Sequence, residues 1–145
     1  MSTGAAIEGG APASVLICDD SAPLRLLLGV IIDSSLGMHV VGNAVDGDEA
    51  IVEAARLQPN VIMLDLAMPN RSGLEALPEL RRVAPDARII VFSGFSGSIV
   101  ADEVIALGAS GYLEKGAHPD SIVAAIEDAL AGGRALPVDT AAAAS

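Results

Sequence analysis

The sequence predicts an α/β fold, five β–α units wound into a parallel sheet with helices on both faces. Two observations carry the prediction. Five short runs are almost continuously apolar and rich in branched side chains, as strands covered on both faces must be. Segments with helical apolar spacing alternate with them over short connections, and right-handed crossovers then put helices on both sides. Propensity leaves the strand order open, with 2-1-3-4-5 one of two common solutions.

The strand candidates are "SVLICD", "MHVVGNAV", "NVIMLDL", "ARIIVFSG" and "SGYLE". Ser21 is a fitting N-cap for the first helix, ahead of Pro23 and "LRLLLGVII", with Leu24, Leu27, Leu28 and Ile31 expected on the core face. "DGDEAIVEAARL" opens with acids that suit a helix N-terminus and ends before Pro59. "SGLEALPELRRV" reads as a helix that tolerates Pro78 near its first turns. "SGSIVADEVIALG" stops at Gly108. "HPDSIVAAIEDALAGG" starts at Pro119, carries Ile122, Ile126 and Leu130 on one stripe, and closes on a glycine pair. Residues 1–12 and the Ala-rich 134–145 read as tails around a domain at 13–133.

Composition narrows the function. The 145 residues make one domain, 52% hydrophobic, with one Tyr, two Phe and no Trp, so the core is aliphatic. The lone Cys18 excludes an internal disulfide, fits a reducing compartment, and reads as a small apolar strand residue rather than a nucleophile. A net charge of −11 argues against independent nucleic-acid binding. No apolar segment is long enough to span a bilayer and the N-terminus has no signal-peptide pattern, so a cytoplasmic protein is expected.

Ligands of such sheets gather beyond the carboxyl ends of the strands. Strand one ends in the adjacent carboxylates Asp19 and Asp20, strand three in Asp65, strand four in Ser93, and strand five near Lys115. Neighbouring anions repel unless something positive sits between them. Three acids converging on one edge are hard oxygen ligands for a divalent cation, Mg²⁺ above others, because few carboxylates leave positions for water and a phosphate oxygen. Lys115 supplies a point charge for that phosphate and Ser93 a donor.

These residues resemble a response-regulator receiver domain of two-component signalling, of the NarL/FixJ class, over about residues 13–133. "CDD" matches the acidic pair, "DLAMPNRSG" the phospho-acceptor motif, Ser93 the switch hydroxyl, Tyr112 the switch aromatic and Lys115 the lysine, within "GASGYLEKGA". The resemblance implies a flavodoxin-like (βα)5 fold of order 2-1-3-4-5. It implies that Asp65 takes a phosphoryl group from a phosphohistidine on a sensor histidine kinase or phosphotransfer protein. Mg²⁺ would be held by Asp20, Asp65 and the main-chain carbonyl of Ala67, with Asp19 helping through water. Ser93 and Tyr112 would then repack the face of the fourth helix, fifth strand and fifth helix to control an output. Such a domain is no enzyme in the ordinary sense, catalysing only its own phosphorylation and slow self-dephosphorylation.

Several departures bear on behaviour. Ser93 stands where Thr is commoner, and Gly116 follows Lys115 where Pro is usual, so no cis peptide is expected there. Ala67 and Phe95 occupy positions that often carry polar groups near the attacking water, which predicts slow phosphate release. Relatives of this class usually continue into a DNA-binding domain, and this sequence carries none after its fifth helix, so contact with DNA would need such a domain elsewhere. The alternative is a degenerate receiver acting as a phosphorylation-independent interaction module. A haloacid-dehalogenase-type phosphatase needs a second Asp where Ala67 stands, and an FMN module needs a hydroxyl-rich loop where "DDSAPLR" stands. His39 and His118 read as structural. Leu26 and Val30 fall on the outer face of the first helix, as scattered surface apolars, a docking patch for a helical phosphohistidine domain, or a homodimer contact.

Overall fold

Strands and helices alternate without interruption: β1 (Ala13–Cys18), α1 (Ala22–Asp33), β2 (Met38–Ala44), α2 (Gly47–Leu57), β3 (Val61–Leu64), α3 (Gly73–Val83), β4 (Arg88–Ser93), α4 (Ser98–Ala106), β5 (Gly111–Glu114) and α5 (Pro119–Leu130). The structure, a computed structural model, describes residues 11–94 and 98–132. Residues 1–10 of the expected first tail, the whole expected second tail, and Phe95 lie outside the described residues. The five strands form one parallel sheet in the order β2-β1-β3-β4-β5.

That order explains the two-layer core. The chain steps from β1 outward to β2, then crosses back to β3 and continues the other way, so right-handed crossovers divide the helices between the faces. Val15, Ile17, Met63, Ile90 and Phe92 pack with Leu28 and Ile32 of α1 and Ile122 and Ile126 of α5. Leu16, Ile62, Leu64, Ile89 and Val91 pack against Ala50 and Ala54 of α2, Leu77 and Leu80 of α3, and Ala101 and Val104 of α4. Strand alternation sends successive residues to opposite layers, and both layers are apolar.

Local chemistry starts α1, α2, α3 and α5. Ser21 Oγ accepts from Leu24 N (3.3 Å), and Asp46 Oδ1 accepts from Glu49 N (2.8 Å). Ser72 and Glu75 form a reciprocal capping box on α3, and His118 Nδ1 accepts from Asp120 N (3.1 Å) at the start of α5. Pro78 lies inside α3 without ending it, because its missing N–H forgoes a single intrahelical bond. Each cap leaves the helix aimed back across the sheet, returning the chain to the same edge.

One expectation for α1 is corrected. Leu28 and Ile32 are buried, with Leu24 and Ile31 half-buried, but Leu27 is 54% exposed. The buried arc centres on Leu28 and Ile32, and one residue is a turn of 100°, which carries Leu27 round to solvent. Leu26 and Val30 face outward as expected, 71% and 57% exposed.

Candidate functional site

The order in which strands are added reverses between β1 and β3, and the acids stand at the ends of those two strands. Asp65 N donates to Cys18 O (2.9 Å) and Asp19 N to Ala44 O (3.0 Å), continuing the ladders just past the strands. Asp19 and Asp65 are buried, and Asp20 is exposed. One carboxylate oxygen from each of Asp19, Asp20 and Asp65 lies within 4.8 Å of the other two. Lys115, beyond β5, reaches across to bring Nζ to 2.9 Å from Asp19 Oδ2 and 3.1 Å from Asp65 Oδ2. Its own main chain is fixed by Lys115 N donating to Ser93 O (2.8 Å). Ser93 is fully buried at the end of β4, and the Tyr112 ring is buried in the layer covered by α2, α3 and α4.

Two contacts set the Asp65 side chain and its peptide. Ala67 N donates to Asp65 Oδ1 (3.2 Å). Gly73, the first residue of α3, donates to Leu66 O (3.0 Å) and lies so close that an added Cβ would clash with the Asp65 carbonyl oxygen and stand 2.9 Å from its carbon. Only glycine lets α3 start against the peptide that carries the carboxylate.

The electrostatics are strained. Burial, and then the negative charge of Asp19, push the Asp65 carboxyl above the usual carboxylate range, against the pull of the Ala67 amide and Lys115. Burial pulls the Lys115 ammonium down, but its bonds to Asp19 and Asp65 outweigh that, and the net shift is upward. One ammonium thus neutralises two buried carboxylates incompletely. Asp19 Oδ1 accepts from Ser21 N (2.8 Å), whereas Asp19 Oδ2 is buried with the Lys115 ion pair and no well-formed hydrogen bond to satisfy it among the described residues. An all-oxygen carboxylate cluster with an unsatisfied buried acceptor suits a hard divalent cation. Cys18 is buried beside this cluster, and burial pushes its thiol up, as befits a packing residue.

Other contacts were not anticipated from sequence. The loop after Asp65 is stitched to the start of α2: Asn70 Nδ2 donates to Asp46 Oδ2 (2.8 Å), Arg71 Nε pairs with Asp48 Oδ1 (2.6 Å), and Gly47 N donates to Arg71 O (2.7 Å). Asn70 takes the left-handed conformation (φ 64°) that closes this loop. An Asn between Pro69 and Gly73 was the available signal. Arg25 Nη1 donates to the Asp19 main-chain oxygen (2.8 Å), tying α1 to the acidic end of β1. His39 is an exposed strand residue, and no described peptide bond is cis, Lys115–Gly116 included. No described helix is long and apolar enough to cross a membrane.

Comparison with known proteins accounts for this arrangement. The family profile described as "Response regulator receiver domain" matches residues 15–127. The nitrate/nitrite response regulator protein NarL of Escherichia coli is 37% identical over 121 residues, 83% of this chain and 56% of NarL. The chemotaxis protein CheY of Thermotoga maritima is 35% identical over 112 residues, 77% of this chain and 92% of CheY. The chain therefore spans a little over half the length of NarL and nearly all of CheY. Among solved structures, a two-component response regulator of the LuxR family from Aurantimonas sp. superposes with a TM-score of 0.82 at 34% identity, covering 86% of this chain and 89% of that one. With the sheet order, the strand-end acids and these likenesses in agreement, the chain belongs to the response-regulator receiver family of two-component signalling.

Proposed function

We propose that Asp65 is the phospho-acceptor of this receiver and that the phosphoryl group comes from a phosphohistidine on a sensor histidine kinase or phosphotransfer protein. The convergence of Asp19, Asp20 and Asp65 under one bridging lysine supports this reading most directly. An Asp65 carboxylate oxygen forms the new bond to phosphorus while the P–N bond breaks, its electron pair leaving with the imidazole. Burial and the neighbouring Asp19 disfavour the charged form of Asp65, leaving a poorly solvated carboxylate, and the Ala67 amide holds one oxygen so that the other faces the donor.

Asp19, Asp20, Asp65 and the Ala67 carbonyl would hold Mg²⁺. When bound, the cation neutralises charge where two anions must meet. Lys115, already 3.1 Å from Asp65 Oδ2, turns to the transferred phosphoryl oxygens, and the Ser93 hydroxyl donates to another. The repacking of Ser93 and Tyr112 then shifts the α4–β5–α5 face between two arrangements, biased by one local change of charge. The chain acts in the cytoplasm through protein contacts, and its net charge of −11 assigns any contact with DNA to another domain.

The test is intact-mass measurement after incubation with a small acyl phosphate, with and without MgCl₂. One added phosphoryl group, dependent on magnesium and absent from Asp65→Asn, is expected. Labelling of Asp65→Asn at the wild-type level would refute the assignment.

A further inference from the structure

A groove of about 670 Å³ lies between α1 and the edge strand β2. Its wall on α1 is Ala22, Arg25, Leu26, Gly29, Val30 and Asp33, spaced so that one helix face runs its full length. Leu26 and Val30 are exposed, and Gly29 has no atom within 4 Å of the place a Cβ would occupy. Arg25 and Asp33 have no ion-pair partner among the described residues. Each makes one bond within the domain, Arg25 Nη1 to Asp19 O and Asp33 Oδ1 from Val40 N, and its remaining polar atoms are available.

The positions are symmetric about Gly29. Arg25 lies four residues before it and Asp33 four after, each about 6 Å along the axis at ~1.5 Å per residue. A two-fold axis beside Gly29, with a second α1 antiparallel to the first, sets Arg25 of each copy opposite Asp33 of the other. Such a contact is self-complementary, as a closed dimer requires. The glycine at the crossing lets the backbones approach, and Leu26 and Val30 of each helix enter the other's groove. The two charges on this face cancel, so a second copy meets no like-charge repulsion here even though the whole chain carries −11.

We propose that this face is a homodimer contact, an antiparallel α1–α1 pairing centred on Gly29 with two Arg25–Asp33 pairs between copies. It goes beyond phosphoryl transfer and does not depend on it. One 12-residue helix per copy is a small contact, below the ~1,200 Å² total of a standard interface, so the dimer is weak and concentration-dependent.

Sedimentation equilibrium from about 10 µM to about 1 mM full chain tests it, the range expected of a contact this small. The weight-average mass of the wild type is expected to rise toward the dimer. Gly29→Gln, placed in open space at a helical position, should raise Tm and weaken association at least tenfold. Arg25→Asp and Asp33→Arg should each weaken it similarly, and the two combined should restore it, which a surface for a different partner has no reason to show. A wild type monomeric throughout, a Gly29→Gln variant that associates like the wild type, or a double reversal no tighter than the singles would each overturn the proposal. So would a monomeric wild type whose phosphotransfer from a kinase is slowed by Gly29→Gln, since the groove would then serve the kinase.

Discussion

Replacing Gly73 with alanine should destabilise the fold and displace the peptide that carries the Asp65 side chain, and the size of the effect follows from the contacts around it. The added Cβ would stand 2.9 Å from the Asp65 carbonyl carbon and 3.0 Å from Leu66 Cα, with the Asp65 oxygen closer still. Ordinary contact needs about 3.5 Å, so the first turn of α3 must retreat by at least about 0.5 Å. The retreat stretches the Gly73 N to Leu66 O bond, worth about 1 kcal/mol net, and crowding among fixed backbone atoms adds about 1–3 kcal/mol. Alanine returns about 0.5–1 kcal/mol through helix propensity and a less flexible unfolded chain. The net loss is about 2 kcal/mol, or roughly 6–10 °C in Tm for a domain of this length. Gly29→Ala is the internal control, since nothing stands within 4 Å and the same propensity gain should appear as stabilisation. Urea unfolding of dilute, metal-free protein followed by far-UV circular dichroism reads both. A Gly73→Ala midpoint matching the wild type, or a Gly29→Ala protein that unfolds earlier, would refute the packing argument.

Three further outcomes are expected. Because the Asp65 carboxyl is shifted upward, the folded state holds its proton more tightly than the unfolded chain, so the contribution to stability is present at low pH and is lost as pH rises through the folded value. Asp65→Asn should therefore raise Tm of the metal-free protein at neutral pH, by a margin that shrinks toward pH 4; a lower Tm at pH 7 would contradict this. Adding MgCl₂ to about ten times its Kd should stabilise the wild type by about 1.4 kcal/mol, and thermal melts should show much less for Asp20→Asn at the same concentration. Ala67→Asn should release phosphate faster than the wild type in a phosphate-release assay, because the alanine methyl beside Asp65 cannot orient water; an equal or slower rate would count against that role.

Much of this was legible in the chain itself because it depends on local pattern. The strand runs are apolar throughout, so their existence and their doubly covered sheet follow from composition, and the acids, Ser93 and Lys115 could be placed at strand ends by counting. The cap at Ser21 was readable for the same reason. What escaped was contact at a distance. Nothing in "LRLLLGVII" says that Leu27 rather than Ile32 turns outward, because that depends on how α1 is rotated against β1 and α5. The clasp of Asp46 and Asp48 on Asn70 and Arg71 joins residues more than twenty positions apart, and no period links them. The role of Arg25 was hidden too, since a charge within an apolar run reads as an interruption until its partner, the Asp19 carbonyl, is located.

The bridging position of Lys115 has a consequence for timing. Three ionised carboxylates and one ammonium leave the pocket two negative charges in surplus, the amount one dication removes. On the proposed reading, a phosphoryl donor arriving before that correction would meet repulsion at Asp65, so the cation would have to enter first, and a chelator should block labelling by keeping the donor out rather than by altering the fold.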